Sequence, residues 1–226
     1  MKRFWQNVTV EDGEVRLDGK PVRTPGRAPL LLPNPAAADA IAEEWRAVEG
    51  EIDPRAMPLT GLANAAIDRI APDPASFAAG LAAYGESDLL CYRADSPPDL
   101  VARQNALWNP PLDWAEKNYG VQFELVTGVM HRAQPEATVA RLTAAITARA
   151  PFELAPLSPI VTITGSLVLA LALAERAMAA EVIWAAANLD EDWQAQQWGE
   201  DDLAIAARET RRRDFDAAAR FLSLLA

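Results

Sequence analysis

VTVEDGEVRLDGKPVRTP, residues 8–25, decides the fold class at the N-terminus. Val8 and Val10 alternate with polar residues, as expected for a strand with one buried face. Asp12-Gly13 and Asp18-Gly19 are two-residue hairpin signals, because type I′ turns need positive φ at both central positions. Pro21, Pro25 and Pro29 forbid helix across the same region. Asn34-Pro35 then supplies an N-cap and a first-turn proline, Ile41, Trp45 and Val48 share a helical face, and Gly50 is a stop. These signals predict a small antiparallel sheet covered by one helix.

The texture changes at MPLTGLANAAIDRI, residues 57–70. Leu59, Leu62, Ala63, Ala66, Ile67 and Ile70 recur at helical spacing, and Pro72 ends the run. Asp73-Pro74, Ser96-Pro97, Asn109-Pro110 and Gln134-Pro135 read as helix entrances, with Gly85, Gly120 and Gly199 as exits. Only residues 121–126 suggest another extended piece. Six or seven helices of unequal length are expected beyond residue 57, with no repeat of fixed period. The expected fold is therefore α+β, with a small β-rich N-terminal domain over residues 1–56 and a larger irregular, orthogonal α-helical bundle over residues 57–226.

Composition removes many functions. The 226 residues carry 21 Lys and Arg against 32 Asp and Glu, a net charge of −11 that repels phosphate backbones, so no nucleic-acid partner is expected. A single cysteine, Cys91, allows no internal disulfide and reads as a core residue. The single histidine, His131, rules out His-rich metal sites and stands in GVMHR without a nucleophile elbow nearby. No Walker loop or dinucleotide fingerprint occurs, so neither a cofactor nor a metal is expected. Glu43-Glu44 and Asp190-Glu191 are adjacent pairs whose side chains diverge on a helix, which argues against paired-acid catalysis. The greasy run 160–174 is interrupted by Thr162, Thr164 and Ser166 and is too short to span a bilayer, so it reads as one buried helix. With no signal-like h-region at the start, a cytoplasmic monomer without direct membrane insertion is the expectation.

Tryptophan is the informative residue. Three of the seven tryptophans fall in AEVIWAAANLDEDWQAQQWGED, residues 180–201. As one helix this segment would place Val182, Ala186, Leu189 and Trp193 on one face and Trp184, Glu191 and Trp198 on the opposite one. Residues 181–202 also contain seven acids and no Lys or Arg. A helix sandwiched between two bundle layers accounts for this pattern. A partner surface, with Trp anchors and acids that steer a basic partner, is the alternative account.

The strings KRFW, VRLDGKPVRTP, EEW, IDPRAMPLTGLANAAIDRI, DLLCYRADSPPDLVARQ, LWNPPLDWAEKNYG, TGSLVLALAL and WQAQQWGED resemble, in order and spacing over essentially the whole chain, the assembly chaperones of the F-type ATP synthase catalytic head, the ATP-twelve family. The KRFW block at residue 2 resembles that of bacterial members. The resemblance implies an ATP-independent chaperone that binds the unassembled α subunit and prevents its aggregation until β arrives, with no enzymatic activity. It also implies a small α/β N-terminal domain joined to a helical one. Family resemblance assigns importance to the acids after the WG pair, here Trp198, Gly199, Glu200, Asp201 and Asp202, and implies a further glutamate where this chain has Leu203. Trp184, Glu191, Trp198, Glu200, Asp201 and Asp202 are thus the candidate partner-binding residues. Asn64, Asp68 and Arg69 form a second polar group, for which helix capping or pairing is the simpler reading. A general adaptor with an acidic, Trp-rich interface and a carboxylate-based hydrolase are the competing functions.

Overall fold

A computed structural model describes residues 2–128 and 130–225. The chain is α+β, with a small antiparallel sheet at the N-terminus followed by helices. Strands β1 (Val8–Glu11), β2 (Glu14–Leu17) and β3 (Lys20–Pro21) form an antiparallel meander in that order, in register Val10↔Val15 and Leu17↔Lys20. Both hairpin turns form as their Asp-Gly pairs require, with φ of 51° and 79° at Asp12-Gly13 and 48° and 76° at Asp18-Gly19. Helix α1 (Pro35–Ala47) starts where Asn34 Oδ1 accepts from the Ala37 amide at 2.9 Å. Its apolar face, with Ile41 fully buried, packs in a core that includes Trp5, Val15, Leu17, Leu30, Leu59 and Phe221.

The chain divides into two compact units. Met1–Pro74, Ala150–Pro156 and Ala217–Ala226 make the first. Besides the sheet and α1, it holds α2 (Pro58–Ala65), which runs into a single π-turn at Ala66–Ile70. Glu44 closes the start of α2: its carboxylate accepts from the Leu59 amide at 2.7 Å and from the Thr60 amide and hydroxyl at 2.8 and 2.7 Å. Asp68, in the π-turn, accepts from Thr24 Oγ1 at 2.6 Å and the Gly26 amide at 2.8 Å. A Cβ at Gly26 would lie 2.7 Å from that carboxylate, so any other residue there would have to displace Asp68 from these hydrogen bonds.

Ala75–Arg149 and Leu157–Asp216 make the second unit. Along the chain follow α3 (Pro74–Ala82), β4 (Tyr92–Arg93), α4 (Pro98–Tyr119), β5 (Val126–Thr127), α5 (Glu136–Thr147), α6 (Pro151–Thr164), α7 (Leu167–Ala174), α8 (Ala180–Ala187), α9 (Leu189–Trp198) and α10 (Asp202–Leu224). The extended piece near residue 126 is real but minimal, β5 pairing in parallel with β4. Nine α-helices therefore follow residue 57 among the described residues, more than the six or seven expected.

Three sequence expectations fail here, one merging two helices and two dividing a run into two. Asn109-Pro110 is not a helix entrance, because α4 runs through Pro110 and Pro111. The prolines cost two intrahelical bonds. The buried face of Trp108, Pro111, Leu112 and Ala115 holds the helix together, and the Trp108 indole N–H donates to the Ala186 carbonyl at 2.8 Å. The greasy run 160–174 is two helices rather than one, divided at Gly165, whose φ is +65°, and at Ser166, whose side chain caps α7 by accepting from the Leu169 amide. Residues 180–201 are likewise divided, at Asn188.

Candidate partner-binding segment

Helix α8 ends at Asn188, whose backbone N–H makes the last helical bond to the Trp184 carbonyl at 3.1 Å while its side-chain amide donates to the same oxygen at 2.9 Å. Its φ of −102° and ψ of 11° change the register before α9 begins. The two faces expected of a single helix are consequently mixed. Trp184 is buried, with its ring 5.4 Å from Phe215 and the Arg212 guanidinium 5.1 Å above it. Val182, expected on an apolar face with Ala186 and Leu189, is 46% exposed, whereas those two are buried. Trp193 is half-buried beneath the Arg103 guanidinium at 4.8 Å. Trp198, the last residue of α9, is 79% exposed. Trp184 and Trp198 therefore do not share a surface, and a buried Trp184 can shape the surface only through the side chains above it.

Gly199, at φ 80° and ψ 176°, terminates α9 with its amide on the Ala195 carbonyl. Asp201 Oδ1 accepts from the Ala204 amide at 2.7 Å, an N-cap for α10. Asp202 follows in the first turn of that helix, where negative charge meets the positive end of the helix dipole.

The acid-rich strip is largely neutralised from within. Arg208 pairs with Asp192 and, at 3.4 Å, with Glu200. Arg211 binds both carboxylate oxygens of Glu191, at 2.7 and 2.5 Å. Arg212 pairs with Glu181 and Asp216, and Asp190 accepts from the Gln104 amide at 2.8 Å. These arginines lie in RETRRRDFD, residues 208–216, a basic run whose spacing of three and four puts it on one side of α10. The spacing of these arginines in the sequence is the signal that could have revealed the pairing, and it was missed. Arg208, Arg212 and Arg213, with Glu209, also wall a groove of about 580 Å³ floored by Trp184.

Other chemically suggestive residues are occupied structurally. Cys91 is fully buried, and burial, with Asp88 adding to it, pushes its thiol up to about 12. His131 Nδ1 shares a 3.1 Å hydrogen bond with the Tyr92 hydroxyl. Glu43 pairs with Arg46 while Glu44 caps α2, so the adjacent acids serve separate ends. Asp88 is fully buried and accepts from the Leu90 amide at 3.1 Å and the Val168 amide at 3.0 Å. Burial pushes its carboxyl up to about 6 against those hydrogen bonds. No cluster of three or more metal-ligating His, Cys, Asp or Glu occurs among the described residues, and none of their helices is long and apolar enough to cross a membrane.

Comparison with known proteins places this arrangement. The crystal structure of Atp12 from Paracoccus denitrificans is 41% identical, superimposes with a TM-score of 0.94, and is matched over 100% of this chain and 98% of its own. A protein from Agrobacterium tumefaciens is 45% identical with a TM-score of 0.93, matched over 100% of this chain and 86% of its own. Residues 2–116 match the family model described as ATP12 chaperone protein. A family match over half the chain and an end-to-end structural likeness above 40% identity agree, and the chain belongs to the ATP12 chaperone family.

Proposed function

We propose that this chain is an ATP-independent chaperone of ATP synthase assembly, which binds the unassembled α subunit of the F-type catalytic head and keeps it from aggregating until β is available. Membership of the ATP12 chaperone family carries this reading. The mode of action follows from thermodynamics. A binder with no motor stabilises the folded client by RT ln(1 + [L]/Kd), about 2.7 kcal/mol when it is present at 100 times its Kd. It covers apolar contact surface for as long as it is bound, and release needs a competitor for that surface. Assembly with β supplies such a competitor if the two binding surfaces on α overlap.

The contact on this chain is proposed at the α9–α10 turn, where Trp198, Glu200, Asp201 and Asp202 lie together in sequence and face solvent. Glu191 binds Arg211, and Trp184 lies beneath Arg212, both arginines being on α10, the helix that follows the turn. Light scattering of purified α subunit, diluted from denaturant with and without equimolar chain, tests the function. Suppressed scattering that returns to a soluble αβ assembly on addition of β is expected. Unchanged aggregation would sink the proposal.

A further inference from the structure

The first half of α10 is held differently from the helices around it. None of residues 202–214 is buried, and Phe215 is the first side chain of the helix to be fully enclosed. Leu203 and Ile205, the large apolar residues of this stretch, are exposed rather than packed. By contrast α7 buries Leu167, Val168, Leu169 and Leu171, and even the short α8 buries Ile183, Trp184 and Ala186. Burial of an apolar stripe is what normally fixes a helix to its domain, and residues 202–213 have none.

Ion pairs take its place. Arg208 pairs with Asp192, Arg211 grips both oxygens of Glu191, and Arg212 pairs with Glu181 while its guanidinium lies 5.1 Å over the Trp184 ring. The Asp201 cap is local to α10 and ties it to nothing else. Helix α9 keeps separate ties to α4, through Gln104 to Asp190 at 2.8 Å and Arg103 to Gln196 at 2.7 Å, so it does not need α10 to stay in place. The same arginines wall the groove of about 580 Å³ whose floor is Trp184.

From this contrast we infer that residues 202–213 are a strap along the Trp184 groove, latched by ion pairs rather than packed, which opens by local unwinding while the rest of its compact unit stays folded. Exposed ion pairs are individually weak and screened by salt, so the latch is the low-stability element of the unit. A helix of about 12 residues without tertiary packing is marginal in water, so a strap that loses its pairs also loses its helix. Its ends do not prevent this. Residues 202–213 span about 18 Å as helix at 1.5 Å per residue and reach about 40 Å when extended, so unwinding supplies slack between Gly199 and Phe215. Opening removes one wall of the groove and uncovers the Trp184 ring. This motion does not depend on what the chain binds, so its failure leaves the proposed chaperone function standing.

Hydrogen exchange of the full chain, followed by mass spectrometry at low salt and in about 1 M NaCl, where the screening length falls to about 3 Å, tests the latch. Amides 203–213 should exchange at least about threefold faster in high salt, while those of α7 are unchanged. A Glu181→Gln, Glu191→Gln double variant, which removes two ties at exposed positions, should exchange about tenfold faster in the strap already at low salt and respond less to added salt. Acrylamide quenching of the Trp184 emission, taken as the difference between the chain and Trp184→Phe, should rise with the same salt. Equal strap protection at both salts, or in the double variant, overturns the latch. Acceleration shared by α7 shows general loosening and overturns it as well. A strap that exchanges faster while Trp184 stays equally protected from acrylamide overturns the opening of the groove.

Discussion

Asp88 offers the sharpest test of the energetics, since its carboxylate joins two segments 80 residues apart while fully buried. Its folded-state carboxyl is raised to about 6 from 3.8, with burial as the largest cause. A folded pKa above the unfolded one means that the native state binds the proton more tightly. The stability contributed by this group is therefore fully present below about pH 4 and is lost as pH rises through 6. A difference of about two pKa units corresponds to roughly 3 kcal/mol between those limits. Asp88→Asn cannot ionise, so it removes the pH dependence, although its amide N–H₂ would face one of the donors at Leu90 or Val168. A mispaired buried donor costs about 1–3 kcal/mol. Urea unfolding of both proteins between pH 4 and 7.5 isolates the effect, because the other carboxylates are common to both. Wild type should exceed the variant by the most near pH 4, and the gap should narrow by up to about 3 kcal/mol towards pH 7.5. A gap that is flat or widens with pH would mean that the amide hydrogen bonds outweigh burial, and the reasoning would be wrong.

Four further outcomes are expected. Glu200→Lys, Asp201→Lys and Asp202→Lys together should weaken capture of α and its salt sensitivity, while costing about 1–2 kcal/mol of stability in urea melts through the lost Asp201 cap and the half-exposed Glu200–Arg208 pair. Trp184→Ala should destabilise the fold by about 3–5 kcal/mol, since it empties a buried site against Phe215; a drop below about 1 kcal/mol in the same melts would contradict that. Calorimetric titration with Mg-ATP should be flat, and a stoichiometric heat would reopen the enzymatic alternative. Limited proteolysis tests a domain division at residues 56 and 57: a stable 57–226 fragment supports it, whereas Phe221, packed in the core with Trp5 and Ile41, predicts that the N-terminal piece loosens when residues 217–226 are removed.

What could be read in the sequence was chemistry that acts over a few residues. The two Asp-Gly turns, the Asn34 cap and the Gly120 helix end need only their neighbours, and each forms as expected. Breaks and continuities that depend on distant partners could not be read. Gly165 and the Ser166 cap divide an apolar run whose hydrophobicity masks these local signals, and Asp88 secures the break by reaching the start of α7 from another part of the chain. Pro110 and Pro111 remain helical because Trp108 is held by the Ala186 carbonyl, 78 residues away. Asn188 is hidden for the opposite reason: an asparagine amid alanines fits a helical pattern, and its non-helical backbone, with the side-chain amide donating back to the Trp184 carbonyl, is what ends the helix.

The same distinction between local and distant partners governs the candidate site. Seven acids without an intervening Lys or Arg suggest a strongly electronegative strip only if charges are counted along the chain. Folding brings α10 alongside, and its arginines at positions 208, 211 and 212 neutralise four of the seven, leaving the charge concentrated at the turn where α10 begins. A surface that repelled or attracted broadly would steer many partners with little selectivity. At the proposed contact, the exposed Asp202 carboxylate and the exposed Trp198 side chain would ask for a cation and an apolar group, so a partner that supplies only one of them would gain only part of the contact. For a chaperone that must let its client go, that division is useful. Affinity can be set by the apolar side chain and selectivity by the single charge, and neither has to be strong enough to compete permanently with the client's final assembly partner.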